Sequence, residues 1–173
     1  MHLNVEIKAH CYEPSAIKQW LLDHGADFKG TDSQTDTYFK IADGRLKLRQ
    51  GNIENSLIHY QRSNQAGPKD SQVTMTQIKD GGELKQVLAK ALGILVEVKK
   101  QREIYFIDNV KFHLDEVPGL GSFVEIEAID KEGSIGKEKL LGQCYQYMQV
   151  LGIDNADLLE NSYSDMLLEK LRH

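Results

Sequence analysis

The chain has 173 residues, with 21 Lys and Arg against 26 Asp and Glu and a formal net charge of −5. Apolar residues make up 40% and charged residues 27%, a globular mix long enough to bury a core as a single domain over 1–173. The acidic balance argues against a nucleic-acid coat or a basic membrane-surface protein, but leaves room for a local basic site.

The first segment, Leu3 to Cys11, alternates as a strand. It carries Glu6 and Lys8 and no apolar stretch, so no signal peptide is expected there. Pro14 suits a first helical turn, and Ile17, Leu21 and His24 follow on one face before Gly25. Thr37 to Ile41, Asp43-Gly44 and Arg45 to Arg49 predict a hairpin with a tight turn. Ser56 to Arg62 and Gln72 to Ile78 read as further strands. Gly81-Gly82 reads as a turn before a helix in which Leu84, Val87, Leu88, Ala91 and Leu92 keep helical spacing up to Gly93. Ile94 to Ile107, Asp108-Asn109 and Val110 to Val117 predict a long hairpin. Gly119-Leu120-Gly121 turns into a strand from Ser122 to Ile129.

A third helix runs from Leu140 or Leu141 through Cys144 and Met148 to Leu151. A fourth starts at Ser162, where Asp165 three residues on gives a capping-box pattern. The total is about eight strands on short connections, an α+β class with an antiparallel sheet, open or closed, and helices packed outside. No run is long enough to span a membrane. Cys11 and Cys144 lie too far apart in sequence to suggest a disulfide framework or a zinc site, and the expected location is cytoplasmic.

Charges recur with period two on these strands. Glu6 and Lys8 share a face, as do Arg45, Lys47 and Arg49, then Lys100 and Arg102, then Lys111, His113 and Asp115, then Glu125 and Glu127. A half-solvated sheet would explain any one strand. It explains the set less well, because these faces are almost purely ionic and some strands offer only cations. If the sheet closes with these faces inward, Lys8, Arg45, Lys47, Arg49, Arg62, Lys100, Arg102 and Lys111 meet Glu6, Asp115, Glu125 and Glu127 in a lumen. Buried charge on that scale needs a counter-charge. A triphosphate with divalent metal supplies it, since Arg and Lys bind phosphate and carboxylates bind hard cations.

The ordered set Asn4-Val5-Glu6-Ile7-Lys8, Gln34 to Phe39, Arg45-Leu46-Lys47-Leu48-Arg49, Lys100-Gln101-Arg102, His113-Leu114-Asp115 and Gly119 to Glu127, with Asn161 to Asp165, resembles the CYTH superfamily, or triphosphate tunnel metalloenzymes. The Gly-Leu-Gly-x-Phe-x-Glu-x-Glu segment looks most like its class IV adenylyl cyclase branch. The resemblance implies a closed eight-stranded antiparallel barrel forming a tunnel, a triphosphate substrate and Mg²⁺ or Mn²⁺. It implies metal ligation by Glu6, Asp115, Glu125 and Glu127, and phosphate binding by Lys8, Arg45, Lys47, Arg49, Arg62, Lys100 and Arg102. Lys8, Lys100, Arg102 and Asp115 are the groups it would place in catalysis.

One departure stands out. The first carboxylate of the opening motif is Asn4, which can ligate a hard cation but brings no charge, so the second ion of a two-metal site is in question. The expected activity is cyclisation of ATP to cyclic AMP and pyrophosphate. The alternatives are hydrolysis of tripolyphosphate, thiamine triphosphate or a nucleotide, and non-catalytic triphosphate binding. The expected partner is a small-molecule triphosphate, with no nucleic acid and no membrane, and the superfamily makes a homodimer plausible. His113 reads either as a ligand or base or as a hydrogen-bonded strand histidine. Tyr38, Phe39, Tyr105 and Phe106 could stack a base, but strand aromatics are more often core.

Overall fold

The computed structural model describes residues 1–173. Its strands are β1 (His2–His10), β2 (Asp27–Phe39), β3 (Arg45–Gln50), β4 (Asn55–Gln61), β5 (Lys69–Gln77), β6 (Ile94–Ile107), β7 (Val110–Val117) and β8 (Gly121–Asp130). Its helices are α1 (Pro14–Asp23), α2 (Gly81–Leu92), α3 (Lys137–Val150) and α4 (Tyr163–Leu171), with a short 3₁₀ turn at Asn155–Asp157. The strands close into a barrel in the order β1-β5-β4-β3-β2-β6-β7-β8, and every neighbouring pair is antiparallel. Closure removes both sheet edges. No helix is long and apolar enough to cross a membrane.

The main apolar core lies outside the barrel wall. Val5, Ile7 and Ala9 of β1, Phe112 and Leu114 of β7, and Val124, Ile126 and Ala128 of β8 pack against Ile17 and Leu21 of α1 and Leu140, Cys144 and Met148 of α3. Burying each large apolar side chain here contributes about 1.5–3 kcal/mol relative to exposure. Strand residues alternate sides, so fixing this face outward turns Asn4, Glu6 and Lys8 inward, with Lys111 and His113, and Glu125 and Glu127. A second cluster joins Tyr38, Tyr60, Val96, Val98, Val117 and Phe123 to Tyr163, and Met166, Leu167 and Leu168 of α4 pack on it. These strand residues lie towards one rim, so α4 closes that end. The predicted capping box is present: Ser162 Oγ accepts from the Asp165 N–H, and Asp165 Oδ2 accepts from the Ser162 N–H.

Three details differ from the sequence reading. β2 begins at Asp27, ten residues before Thr37, because its early half pairs with β6 through residues that show no apolar alternation. The β2–β3 connection spans 40–44 rather than a two-residue turn, since a register shift after Tyr38 ends the strand at Phe39 and the Lys40 N–H bonds to the Gly93 carbonyl. Gly44 is needed there, with φ 72° and room for no Cβ: one would sit 2.9 Å from the Tyr60 carbonyl oxygen. Gly81-Gly82 forms the first turn of α2, because the Asp80 side chain accepts from the Gly82 N–H and caps the helix.

Candidate functional site

A cavity of about 260 Å³ runs inside the barrel, and only 8 of its 27 lining residues are hydrophobic. The cationic contribution is Lys47 and Arg49 from β3, Lys100 and Arg102 from β6, Lys8 from β1, Lys111 from β7, and Arg62 and Lys131 just beyond β4 and β8. The carboxylates are Glu6, Glu54, Glu125 and Glu127. Cations therefore outnumber carboxylates in the lining.

Two buried carboxylates outside the cavity lining pair with the basic residues. Asp36 is fully buried and accepts from Arg49 Nε and Nη2, both at 2.9 Å, and from Lys100 Nζ at 2.8 Å, with Lys47 Nζ at 3.5 Å. Burial would raise its pKa, but Arg49, Lys100 and Lys47 hold it well below the usual carboxylate range. Asp115 grips Arg102 in the same two-pronged way, at 2.7 and 2.6 Å, and accepts from the Tyr163 hydroxyl at 2.7 Å. Burial among Arg102, Arg49 and Lys47 pulls Lys100 down to about 7 despite Asp36.

The carboxylate wall is β1 and β8. Glu6 pairs in register with Glu127, and Lys8 with Glu125. Like charges directly opposite each other on one face are destabilising unless something lies between or beside them. Glu6 is paired with Arg62. Glu125 meets Lys8 at 3.1 Å, Arg102 at 3.4 Å and His113 Nδ1 at 3.1 Å. Lys8, Arg102 and His113 overcome burial and hold Glu125 well below its usual range. Glu127 differs: burial, with Glu6 and Glu125 nearby, pushes it up although Lys111 opposes the change. Burial and Arg102 lower His113 to about 4, so near neutral pH its ring is uncharged and Nδ1–H donates to Glu125.

The structure has four buried side-chain polar atoms without a hydrogen-bond partner: Asn4 Oδ1, Gln34 Oε1, Arg62 Nε and His113 Nε2. All belong to residues on the inward side of the barrel, and Asn4, Arg62 and His113 line the cavity. Unpartnered buried polar atoms are rare and costly, and their concentration here marks a surface built for a ligand.

Of the residues named from sequence, Glu6, Lys8, Lys47, Arg49, Arg62, Lys100, Arg102, Glu125 and Glu127 converge on this cavity. Two do not line it. Arg45 ties β3 to the start of α4, donating to Ser162 Oγ and Asp165 Oδ2 at 2.9 Å each and to Asn64 Oδ1 at 3.1 Å. Asp115 is occupied by Arg102 and Tyr163. Tyr38 and Phe106 line the cavity, whereas Tyr105 belongs to the outer core.

Sequence reasoning missed Asp36 as the counter-charge to three cations, Glu54 as the partner of Lys111, and Tyr163, whose ring lies 3.7 Å below Lys8 Nζ. The available signal for Asp36 was its alternation with Gln34 and Tyr38. The oxygens suited to a hard cation are those of Glu6, Glu125 and Glu127 with Asn4 Oδ1. No three His, Cys, Asp or Glu side chains converge as a preformed cluster. The donor set thus fits a cation whose remaining ligands come from phosphate oxygens.

A family model for the CYTH domain matches residues 2–163. A Methanocaldococcus jannaschii protein named as a putative adenylate cyclase is 26% identical over 179 residues, covering 95% of this chain and 98% of that protein. The PH1012 protein of Pyrococcus horikoshii has the same fold, with a TM-score of 0.81 at 22% identity over 95% of this chain and 98% of that one. A Hippeastrum protein described as a putative adenylyl cyclase with a dominant triphosphatase activity aligns with a TM-score of 0.61 at 16% identity, covering 99% of this chain and 96% of that one.

Proposed function

The chain belongs to the CYTH domain family, and from that premise we propose that it is a divalent-metal-dependent enzyme acting on a triphosphate inside the barrel. The observation that carries this reading is the cavity inside the barrel in which Lys and Arg outnumber carboxylates and buried polar atoms lack partners. A linear polyanion answers the excess of cations and can accept from Arg62 Nε, while the bare acceptor Asn4 Oδ1 suits a cation that accompanies it. Lys47, Arg49, Lys100 and Arg102 from β3 and β6 would clamp its phosphates, with Lys8 and Arg62 beside them.

Mg²⁺ or Mn²⁺, held by Glu127 and Asn4 Oδ1 with Glu6 and Glu125 beside them, would offset charge on the phosphate oxygens. Asp115 would act through Arg102 as a positioning residue rather than on the cation, because its oxygens are already engaged. Catalysis would rest on orientation and on charges already in place.

The reaction we assign is cyclisation of ATP. The ribose 3′ oxygen forms a bond to the α-phosphorus and loses its proton, the bond to the bridging oxygen breaks, and pyrophosphate leaves. End-to-end similarity to a protein named as a putative adenylate cyclase supports it, as does the Gly119–Glu127 segment. Hydrolysis is the second reading, favoured by the activity described for the Hippeastrum protein. Phosphorus NMR of the protein with ATP or tripolyphosphate, in Mg²⁺ and then Mn²⁺, separates them. Cyclic AMP with matching pyrophosphate supports cyclisation. Orthophosphate alone supports hydrolysis, and an unchanged spectrum removes the enzymatic reading.

A further inference from the structure

We propose that this tunnel takes one divalent cation rather than two, and that Asn4 sets that number. The proposal rests on the triphosphate reading above and adds the count of its counter-ions. Three carboxylates face the lumen from β1 and β8, and two already answer to fixed cations. Glu6 is paired with Arg62. Glu125 is held by Lys8 at 3.1 Å and Arg102 at 3.4 Å. Glu127 has no ion pair, and its hydrogen bond is to the side-chain amide of Asn4.

An ionised carboxylate only accepts, so Asn4 turns its N–H towards Glu127 and its carbonyl Oδ1 away. That oxygen has no partner, and Asn4 is only 3% exposed. The uncommitted hard donors of this wall are therefore one carboxylate and one amide carbonyl. Together with phosphate oxygens they suffice for a single divalent ion, which accepts a mixed set of carboxylate, carbonyl and substrate ligands.

A second ion would have to take Glu6 from Arg62, or Glu125 from Lys8 and Arg102. Either exchange leaves a buried cation unpaired. A carboxylate at position 4 would supply the missing charge. The neutral amide instead supplies an oxygen and spends its N–H on orienting Glu127.

The test is equilibrium dialysis of Mn²⁺ against the protein with stoichiometric imidotriphosphate, whose P–N–P bridges resist hydrolysis, followed by metal analysis. The expected result is one bound Mn²⁺ per chain for the natural sequence and two for Asn4→Glu. Asn4→Leu should keep one but bind it roughly 10–100-fold more weakly. Two Mn²⁺ on the natural sequence overturns the proposal even if Asn4→Glu does not fold. So does a count of one for a folded Asn4→Glu variant. Failure of imidotriphosphate to bind at all instead removes the triphosphate reading and the cation count with it.

Discussion

Replacing Asp36 with Asn tests the electrostatic design of the cationic wall. The substitution keeps the shape of the side chain and removes the one charge shared by Arg49, Lys100 and Lys47. Removing one partner from a buried pair costs about 3–5 kcal/mol, because the partners left behind are desolvated and unpaired. Domains unfold with about 5–15 kcal/mol, so the variant should lose a large fraction of its margin. For a chain of this size the melting temperature should fall by roughly 6–20 °C.

Tripolyphosphate should then stabilise the variant more than the parent, because its oxygens replace the missing charge. At about 1,000 times the dissociation constant a ligand contributes about 4 kcal/mol, enough to recover most of the loss. The deficit should also depend on pH. Lys100 has a folded value of about 7, below its ordinary 10.5. The unfolded chain therefore binds more protons between those values, and stability rises with pH across that window. Losing Asp36 lowers Lys100 further, so the deficit should be larger at pH 6 than at pH 9. Urea unfolding with and without tripolyphosphate measures all of this. A loss below about 1 kcal/mol, or weaker rescue of the variant than of the parent, would refute the reasoning.

Glu125→Gln or Glu127→Gln should abolish metal-dependent turnover while the protein stays folded, read by phosphorus NMR and circular dichroism; retained activity would sink the assignment of that wall. Lys69→Met should flatten the pH dependence of stability. Burial, with Arg62 and Lys8 nearby, lowers Lys69 to about 8, and its ammonium donates to the Glu160 carbonyl at 2.6 Å. Its folded value lies below its ordinary 10.5, so the parent should gain stability as pH rises from 8 to 10.5. Urea midpoints at pH 7.5 and 10.5 should differ less for the variant, and equal slopes would remove Lys69 as the cause. Ser162→Ala takes away half of the α4 capping box and a hydrogen bond from Arg45, and should lower stability by about 1–2 kcal/mol in the same assay. An unchanged midpoint would show that α4 is held by its apolar face alone.

The barrel was legible because two periodicities agree. Val5, Ile7 and Ala9 alternate with Asn4, Glu6 and Lys8, and the same contrast recurs at Val124, Ile126 and Ala128 against Glu125 and Glu127. A face that stays almost purely ionic over several strands fits an enclosed lumen better than a water-exposed surface. β2 was only half legible. Asp32, Gln34 and Asp36 point inward while Ser33, Thr35 and Thr37 lie on the other side, so no apolar stripe marks the strand. Arg45 and Asp115 share the period of lumen residues and still miss the cavity lining. Period two fixes the side of the sheet but not the depth along the axis, and both residues meet α4, whose docking depends on contacts distant in sequence. Tyr163 was hidden for that reason too.

The buried carboxylates explain how so basic a lumen can be ready for its ligand before the ligand arrives. An unrestrained Arg side chain loses rotamer freedom when it binds phosphate, which reduces affinity. Here Asp36 engages Arg49 through Nε and Nη2, and Asp115 engages Arg102 through the same two nitrogens. Each carboxylate fixes one edge of its guanidinium plane, so the ordering cost is met during folding. A guanidinium carries five N–H donors, and the grip leaves others free for phosphate. Both acids share the inner face with the arginines they pair with across the strands, yet both are buried and outside the cavity lining. An exposed Asp in the lining would compete with the polyanion for those donors, whereas the buried Asp36 neutralises part of the repulsion among Lys47, Arg49 and Lys100. The lumen can hold closely spaced cations because their counter-charges are buried among them and keep no surface in the cavity.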